Sequence, residues 1–364
     1  MPIPHSLRLA AAAAVVLLAA CGGNDDDAPA PEETRAQDSR TSFTPVVPTL
    51  AALPPANGDD AVVNNTSRWV GTLNGASYAI EVPQTWNGRL VMYAHGYAGT
   101  GDPLGVSIPA VRRHLINAGY AWAASSYSKN YYDVRVGVED TNALALAFTR
   151  IAADNGRTLA APTKTFIIGH SMGGHVAAAA IEDETFRTAR NKVRYDGAVP
   201  MCGVTGDTEL FDYFGGYQMA AQALAGVPRY PNTGWADIAT LVRNALWTTF
   251  PVTTPGATTP QGDKLREVVK NLTGGERPIF AQGFAHPLQG TVWSTFGGDG
   301  TINGILNRSS IDTNRFVYQL DNDPALSTEE TQLNSIVQDL TAAPDANRLR
   351  RDGLRWIPAV NGEF

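Results

Sequence analysis

An α/β domain built on a mostly parallel sheet with flanking helices is what the sequence predicts, and three observations predict it. Apolar runs of strand length alternate with helix-length segments between residues 89 and 202. One of these runs ends in Gly169-His170-Ser171-Met172-Gly173 and turns into an alanine-rich stretch. An earlier run ends in the glycine-rich turn His95-Gly96-Tyr97.

The serine segment carries the chemistry. A serine hydroxyl attacks a carbonyl usefully when it is exposed, strained and near a base, and a sharp strand-to-helix turn supplies the first two conditions. Gly169 and Gly173 flank the serine where strand and helix crowd together, so a Cβ at either position would clash. Residues 172–181 are mostly small, which lets that helix lie close to the sheet. Gly-x-Ser-x-Gly also arises by chance; the apolar strand at 165–168, the helix former after it and the upstream His-Gly turn favour a nucleophile elbow.

The remaining elements follow in order. Residues 67–73 and 78–82 alternate around Asn74-Gly75, a hairpin signal. Residues 89–94 read as a buried strand, 104–118 as a helix stopped by Gly119, and 120–125 as the next parallel strand. A long helix is expected over 133–154, stopped by Asn155-Gly156, and a further strand over 195–202. Ligands of such sheets bind at the carboxyl ends of the strands. Ser171, Tyr97 and the 125–127 loop all fall at that edge, where Tyr127, Tyr131 and Tyr132 either line a substrate wall or pack the loop.

With the elbow and the His-Gly turn in place, residues 69–202 resemble the α/β-hydrolase superfamily. The resemblance implies an α/β-hydrolase fold with a large lid insertion, and an oxyanion hole made by the backbone N–H groups of Met172 and Tyr97. It assigns His95 and Gly96 to a structural role in the oxyanion loop, and makes Gly169, His170 and Gly173 structural parts of the elbow. It places the core at 63–204 and a helical lid at 205–355. Phe211, Phe214, Tyr217, Trp235, Trp247, Trp293 and Phe296 would give the lid an apolar face or its own core. A helix at 328–340 is expected to open with a capping box, Ser327 and Glu330.

Family members carry acid and base late in the chain, in the order serine, acid, histidine. Residues 356–364 read as the start of the returning core, cut short before its last strands, so the expected acid and base are missing. The competing reading makes His286 the base and Asp207 its orienting acid. Asp299, in Gly297-Gly298-Asp299-Gly300, has no histidine after it.

The N-terminus reads separately. After Arg8 comes an apolar run over 9–20, too short to span a bilayer, ending in Leu18-Ala19-Ala20-Cys21. It resembles a bacterial lipoprotein signal, which implies a signal peptide at 1–20, export, and a lipidated Cys21 anchoring the protein to the membrane; Gly22 points to the outer membrane. An ordinary secretory signal cleaved elsewhere is the other reading. Residues 21–62, rich in Ala, Pro, Asp and Thr, are expected to form a disordered tether. With Cys21 acylated, Cys202 is expected as an unpaired, buried thiol at a strand end.

The net charge of −7 and the lack of a basic cluster argue against a nucleic-acid partner. No metal or organic cofactor is implied. The expected activity is hydrolysis of carboxylic esters of apolar or aromatic acyl groups through an acyl-enzyme on Ser171, the partner being a small-molecule ester. The alternatives are an amidase on small acyl amides and a catalytically inactive surface lipoprotein that only binds a ligand.

Overall fold

The computed structural model describes residues 43–59, 63–99, 101–228, 235–293, 296 and 313–342. Cys21 with its signal segment, most of the tether, Asp299 and residues 356–364 lie outside the described residues.

The first element, β1 (Thr44–Val46), is followed by β2 (Thr66–Leu73) and β3 (Ala76–Pro83). Asn74 and Gly75 join β2 to β3 with φ of 50° and 86°, the paired positive values of a tight hairpin turn. Next come β4 (Arg89–Ala94), β5 (Pro103–Gly105), α1 (Arg112–Asn117), β6 (Ala121–Ser125) and α2 (Val134–Asp154). Asp133 caps α2 by accepting the Val136 N–H at 3.0 Å. Then β7 (Lys164–His170) leads into α3 (Met172–Ala179), α4 (Asp183–Thr188) and β8 (Gly197–Met201).

The six-stranded sheet runs β2-β3-β6-β4-β7-β8, with β6, β4, β7 and β8 parallel and the hairpin antiparallel at one side. Alternate residues of β4 serve the two faces. Leu90, Met92 and Ala94 join Phe148, Ile151 and Val176 beneath α2 and α3, whereas Val91 and Tyr93 join Leu115, Ile116 and Trp122 beneath α1. Both faces are therefore covered, as parallel strands require. The two helices on the first face pack closely at Gly137, whose Cβ would stand 2.6 Å from Val176 Cγ2. From β4 the chain first places β6 on one side and later β7 on the other. Such a reversal opens a crevice beyond the carboxyl ends of the strands.

Two expectations change here. The helix expected over 104–118 is shorter: residues 103–105 form β5, and α1 starts only after Pro109, whose ring holds Ile108 out of helical backbone angles. The end of the expected tether, residues 43–59, lies packed on the core. Its β1 pairs in parallel with β5, and Leu50 and Leu53 cover the α1 face.

Beyond β8, α5 (Asp207–Leu224), α6 (Trp235–Leu246), β9 (Trp247–Thr249), β10 (Ala257–Thr258), α7 (Pro260–Leu272), α8 (Phe280–Phe284), α9 (Gln289–Trp293) and α10 (Thr328–Ala342) enclose a second apolar core. Tyr217, Trp247, Trp293 and Phe296 are buried in it. Trp247 stacks on Phe284 at 5.2 Å, and Tyr217 meets Phe296 edge-on at 5.1 Å. Trp293 donates its indole N–H to Tyr217 Oη. The capping box at the start of α10 forms as expected, with Ser327 and Glu330 exchanging hydrogen bonds.

Among the described residues β8 has one strand neighbour, β7, and its Val199 is 53% exposed. A twisted sheet edge with an exposed β-branched residue invites pairing with another chain. Val199→Lys is therefore expected to lower concentration-dependent self-association, measured by light scattering, while the melting temperature stays within about 2 °C of the parent, since surface changes are worth roughly ±0.5 kcal/mol.

Candidate active site

Ser171 stands between β7 and α3 with φ 54° and ψ −121°, a region that side-chain-bearing residues rarely adopt. The strain falls on the serine itself; Gly169 and Gly173 keep ordinary φ and serve by lacking a Cβ. A Cβ on Gly169 would sit 2.0 Å from Gly173 O, and one on Gly173 would sit 2.1 Å from Ala94 O. Any side chain there would force β4, β7 and α3 apart. The turn is locked by Ser171 N–H donating to Met201 O at 3.0 Å, which ties it to the end of β8.

The serine is exposed, and its hydroxyl does not cap α3 although it occupies the capping position. The Met172 N–H, the first of the helix, has no acceptor among the described residues. A free N–H at a helix N-terminus carries partial positive charge and suits a developing oxyanion. The His-Gly turn reaches the same place, for a Cβ on Gly96 would meet His170 O at 3.2 Å and Ser171 Cβ at 3.4 Å. Tyr97 follows, half-buried against the main core. Strand order, exposed strained serine and adjoining His-Gly turn now stand together. The chain has the α/β-hydrolase fold.

No family model and no curated protein matches this chain. Solved structures similar to this chain include an arylesterase, 18% identical over 42% of this chain and 47% of that one, with a TM-score of 0.28. Brefeldin A esterase, a bacterial homologue of human hormone sensitive lipase, is 17% identical over 54% of each chain with a TM-score of 0.28. Esterase B from Lactobacillus rhamnosis is 15% identical over 51% of this chain and 58% of that one, with a TM-score of 0.29. The chain spans about half the length of these structures.

The histidines fall into distinct environments. His95 is 3% exposed, stacks on Tyr127 at 4.0 Å, and places Nε2 3.0 Å from Ser126 O and Nδ1 2.6 Å from Gly96 O. Burial lowers its pKa more than the two carbonyls raise it. A neutral imidazole has one N–H, so only one of these carbonyls receives a hydrogen bond. His95 thus ties the His-Gly turn to the loop after β6. His170 lies beside Tyr93, its Nδ1 3.3 Å from the phenol oxygen. His175, on α3, sits 3.1 Å from Tyr132 Oη, and burial lowers its pKa.

His286 is exposed in the turn between α8 and α9, where its Nδ1 accepts the Leu288 N–H at 3.2 Å. Asp207 opens α5. Among the described residues no hydrogen bond joins a histidine to Ser171, and the Asp207 side chain lies outside the described ones. The structure thus brings Gly96 against Ser171, with Tyr97 and Met172 next to them in the chain. Cys202, expected as buried, is exposed at the end of β8 with φ 48°. The backbone turns at that point so that Gly203 can approach Gly174.

Sequence reading missed the clamp around the loop that follows β4. Tyr127 Oη donates to His95 O at 3.0 Å, and Tyr131 N–H donates to Gly99 O at 3.0 Å. The Asn130 amide donates to Gly101 O at 2.6 Å and Pro103 O at 3.0 Å. Tyr127 is buried in this clamp and Tyr132 is buried beside His175, so both pack the loop rather than line an open wall. Tyr127 and Tyr131 hold φ of 57° and 70°, and nothing in their sequence announces such angles.

Gly173→Ala is expected to abolish soluble folded protein or, where protein is recovered, to lower Ser171 reactivity toward a fluorophosphonate by more than tenfold, because the added methyl enters the Ala94 carbonyl. The histidines give a pH prediction. His95 and His175 are held neutral in the fold with pKa below the ordinary value. As pH falls below about 6.5 the unfolded chain takes up protons that the folded one does not, and stability is lost toward acid. Thermal melts between pH 7.5 and 5.5 should show this loss, with a shallower slope in His175→Gln.

Proposed function

We propose that this protein is a serine hydrolase that cleaves carboxylic esters through an acyl-enzyme on Ser171. The observation that carries the reading is the exposed Ser171 at positive φ, with the unpaired Met172 N–H beside it and the Gly96 turn in contact. Ser171 Oγ adds to the ester carbonyl carbon, and the Met172 and Tyr97 N–H groups receive the negative charge that develops on the carbonyl oxygen. Collapse of the tetrahedral species breaks the bond to the alcohol, which leaves with a proton, and water then releases the acid by the same steps.

The serine proton needs an acceptor. His286 with Asp207 is the pair whose order in the chain suits that task, supported by sequence order alone. The acyl group is apolar or aromatic in this reading. Tyr217, Trp247, Trp293 and Phe296 are buried in the second core and the half-buried Trp235 and Phe250 pack against it, so the acyl preference is supported by the number of aromatic residues beyond position 205. The reading includes export and lipid anchoring through Cys21, on the strength of Leu18-Ala19-Ala20-Cys21.

A second reading draws on the lack of a histidine hydrogen-bonded to Ser171 among the described residues: a surface lipoprotein that binds its ligand without turning it over. Fluorophosphonate labelling of the 364-residue chain and of Ser171→Ala, with nitrophenyl ester and nitroanilide turnover alongside, separates the two. The hydrolase reading expects labelling confined to the parent and turnover of the ester that falls by on the order of 10⁶ in the variant. Absence of labelling and turnover in the parent would sink it and leave the binding reading. His286→Ala is expected to cut labelling comparably if His286 is the base, and an unaffected rate removes it from the mechanism.

A further inference from the structure

The segment that carries Gly96 and Tyr97 is gripped from two opposite quarters. From the β6 side come the Tyr127, Asn130 and Tyr131 hydrogen bonds described above. Asn130 is 3% exposed, and its Oδ1 has no donor among the described residues, so its side chain is spent on the two carbonyls it holds. From the other side comes the N-terminal segment. Thr44 N–H donates to Asp102 O at 3.1 Å, and Thr44, Pro45 and Val46 stand in parallel register with Pro103, Leu104 and Gly105. Leu104, at the middle of this pairing, is fully buried.

The far end of the same segment is bolted to α1 and through it to the sheet. Arg112 donates to Ala51 O at 2.6 Å and to the fully buried Glu81 carboxylate, its Nε 2.6 Å from Glu81 Oε2. Arg113 donates to Pro54 O at 2.9 Å and pairs with Asp59, which also accepts from Asn117 at 3.0 Å. Residues 43–59 therefore run as a strap from a rigid anchor on α1 to the chain that leaves the oxyanion loop. Three residues of sheet far from any other strand of that strap add little to a core of this size, and their place is what distinguishes them.

We propose that residues 43–59 form a positioning strap that, opposite Asn130, sets where the oxyanion loop presents the Tyr97 N–H. The inference rests on the serine hydrolase reading for its catalytic consequence, and on the β1–β5 pairing alone for its mechanical one. Displacing a catalytic group by about 1 Å can lower a rate by roughly 10². Loosening β1 should act on kcat, because an oxyanion donor works mainly in the transition state.

The test compares the full chain with a triple variant, Thr44→Gly, Pro45→Gly and Val46→Gly. Expected are a fall in kcat of about 10- to 100-fold with KM within about twofold, together with faster amide hydrogen exchange in peptides covering 95–105 and unchanged exchange in β4 and β7. Thr44→Pro, which deletes the N–H that Asp102 O accepts and fixes the backbone at that one position, serves where the triple variant is insoluble and should show the same pattern more weakly. Unchanged exchange over 95–105 would overturn the proposal, as would faster exchange there with unaltered kcat. Exchange that rises throughout the core would also overturn it, making the strap a general stabiliser. If the parent chain turns over no ester, the hydrolase reading fails by that result, while the exchange comparison still decides whether the strap holds the loop.

Discussion

The structure depends on one contact, the approach of bare backbone to bare backbone where β4, β7 and α3 meet. With no side chain at 169 or 173, the carbonyl of Ala94 lies where a Cβ on Gly173 would be, and Gly173 O lies where a Cβ on Gly169 would be. That closeness forces the turn, and the turn forces Ser171 into its positive φ. From it follow the exposure of the hydroxyl, a Met172 N–H without an acceptor among the described residues, and the contact of the Gly96 turn with the serine. The neighbouring Gly174 extends the same packing to Gly203 and so to the end of β8. The energy that keeps so strained a residue in place, on the order of 1–3 kcal/mol, comes from cores on both faces of the sheet.

How much of this was legible in the sequence depends on whether the governing interaction is local. Asn74-Gly75, the strand at 89–94 and the long helix closed by Asn155-Gly156 each carry their own instructions, and all formed close to the expected places. The glycines of the elbow were legible for the same reason. The helix expected over 104–118 failed because residues 103–105 answer to Thr44–Val46, nearly sixty positions away, and because Pro109 interrupts the run. The strap was read as tether since its composition is poor in large apolar residues, yet two leucines and a few carbonyls facing Arg112 and Arg113 suffice to fix it. Cys202 was placed by its residue type, and backbone geometry decided otherwise.

The aromatic residues beyond position 205 illustrate a different limit. Their number is visible in the sequence, but whether each faces a substrate or a neighbour is set by packing among themselves. Tyr217, Trp247, Trp293 and Phe296 satisfy one another in a core that shares no residue with the sheet's two clusters. Asp212, fully buried on α5 beside Arg315, shows that this unit also neutralises its own interior charge. Its apolar core is accordingly separate from the two that cover the sheet.

The two backbone N–H groups proposed to form an oxyanion hole, those of Met172 and Tyr97, are held on unlike principles. Met172 takes its position from the helix that begins with it, and a regular helix orients its first N–H groups without outside help. Tyr97 belongs to a loop, and a loop N–H is only as fixed as the bonds that hold the loop. That difference explains why the region after β4 gathers so many side chains and carbonyls: His95 stacked on Tyr127, Asn130 across two carbonyls, Tyr131 on Gly99, and β1 laid along β5. Two of these residues, Tyr127 and Tyr131, hold strained backbone angles to do so. Strain at Ser171 and strain at the clamp thus serve one geometry, an exposed hydroxyl with the His-Gly turn held against it, and both are sustained by the buried sheet between them.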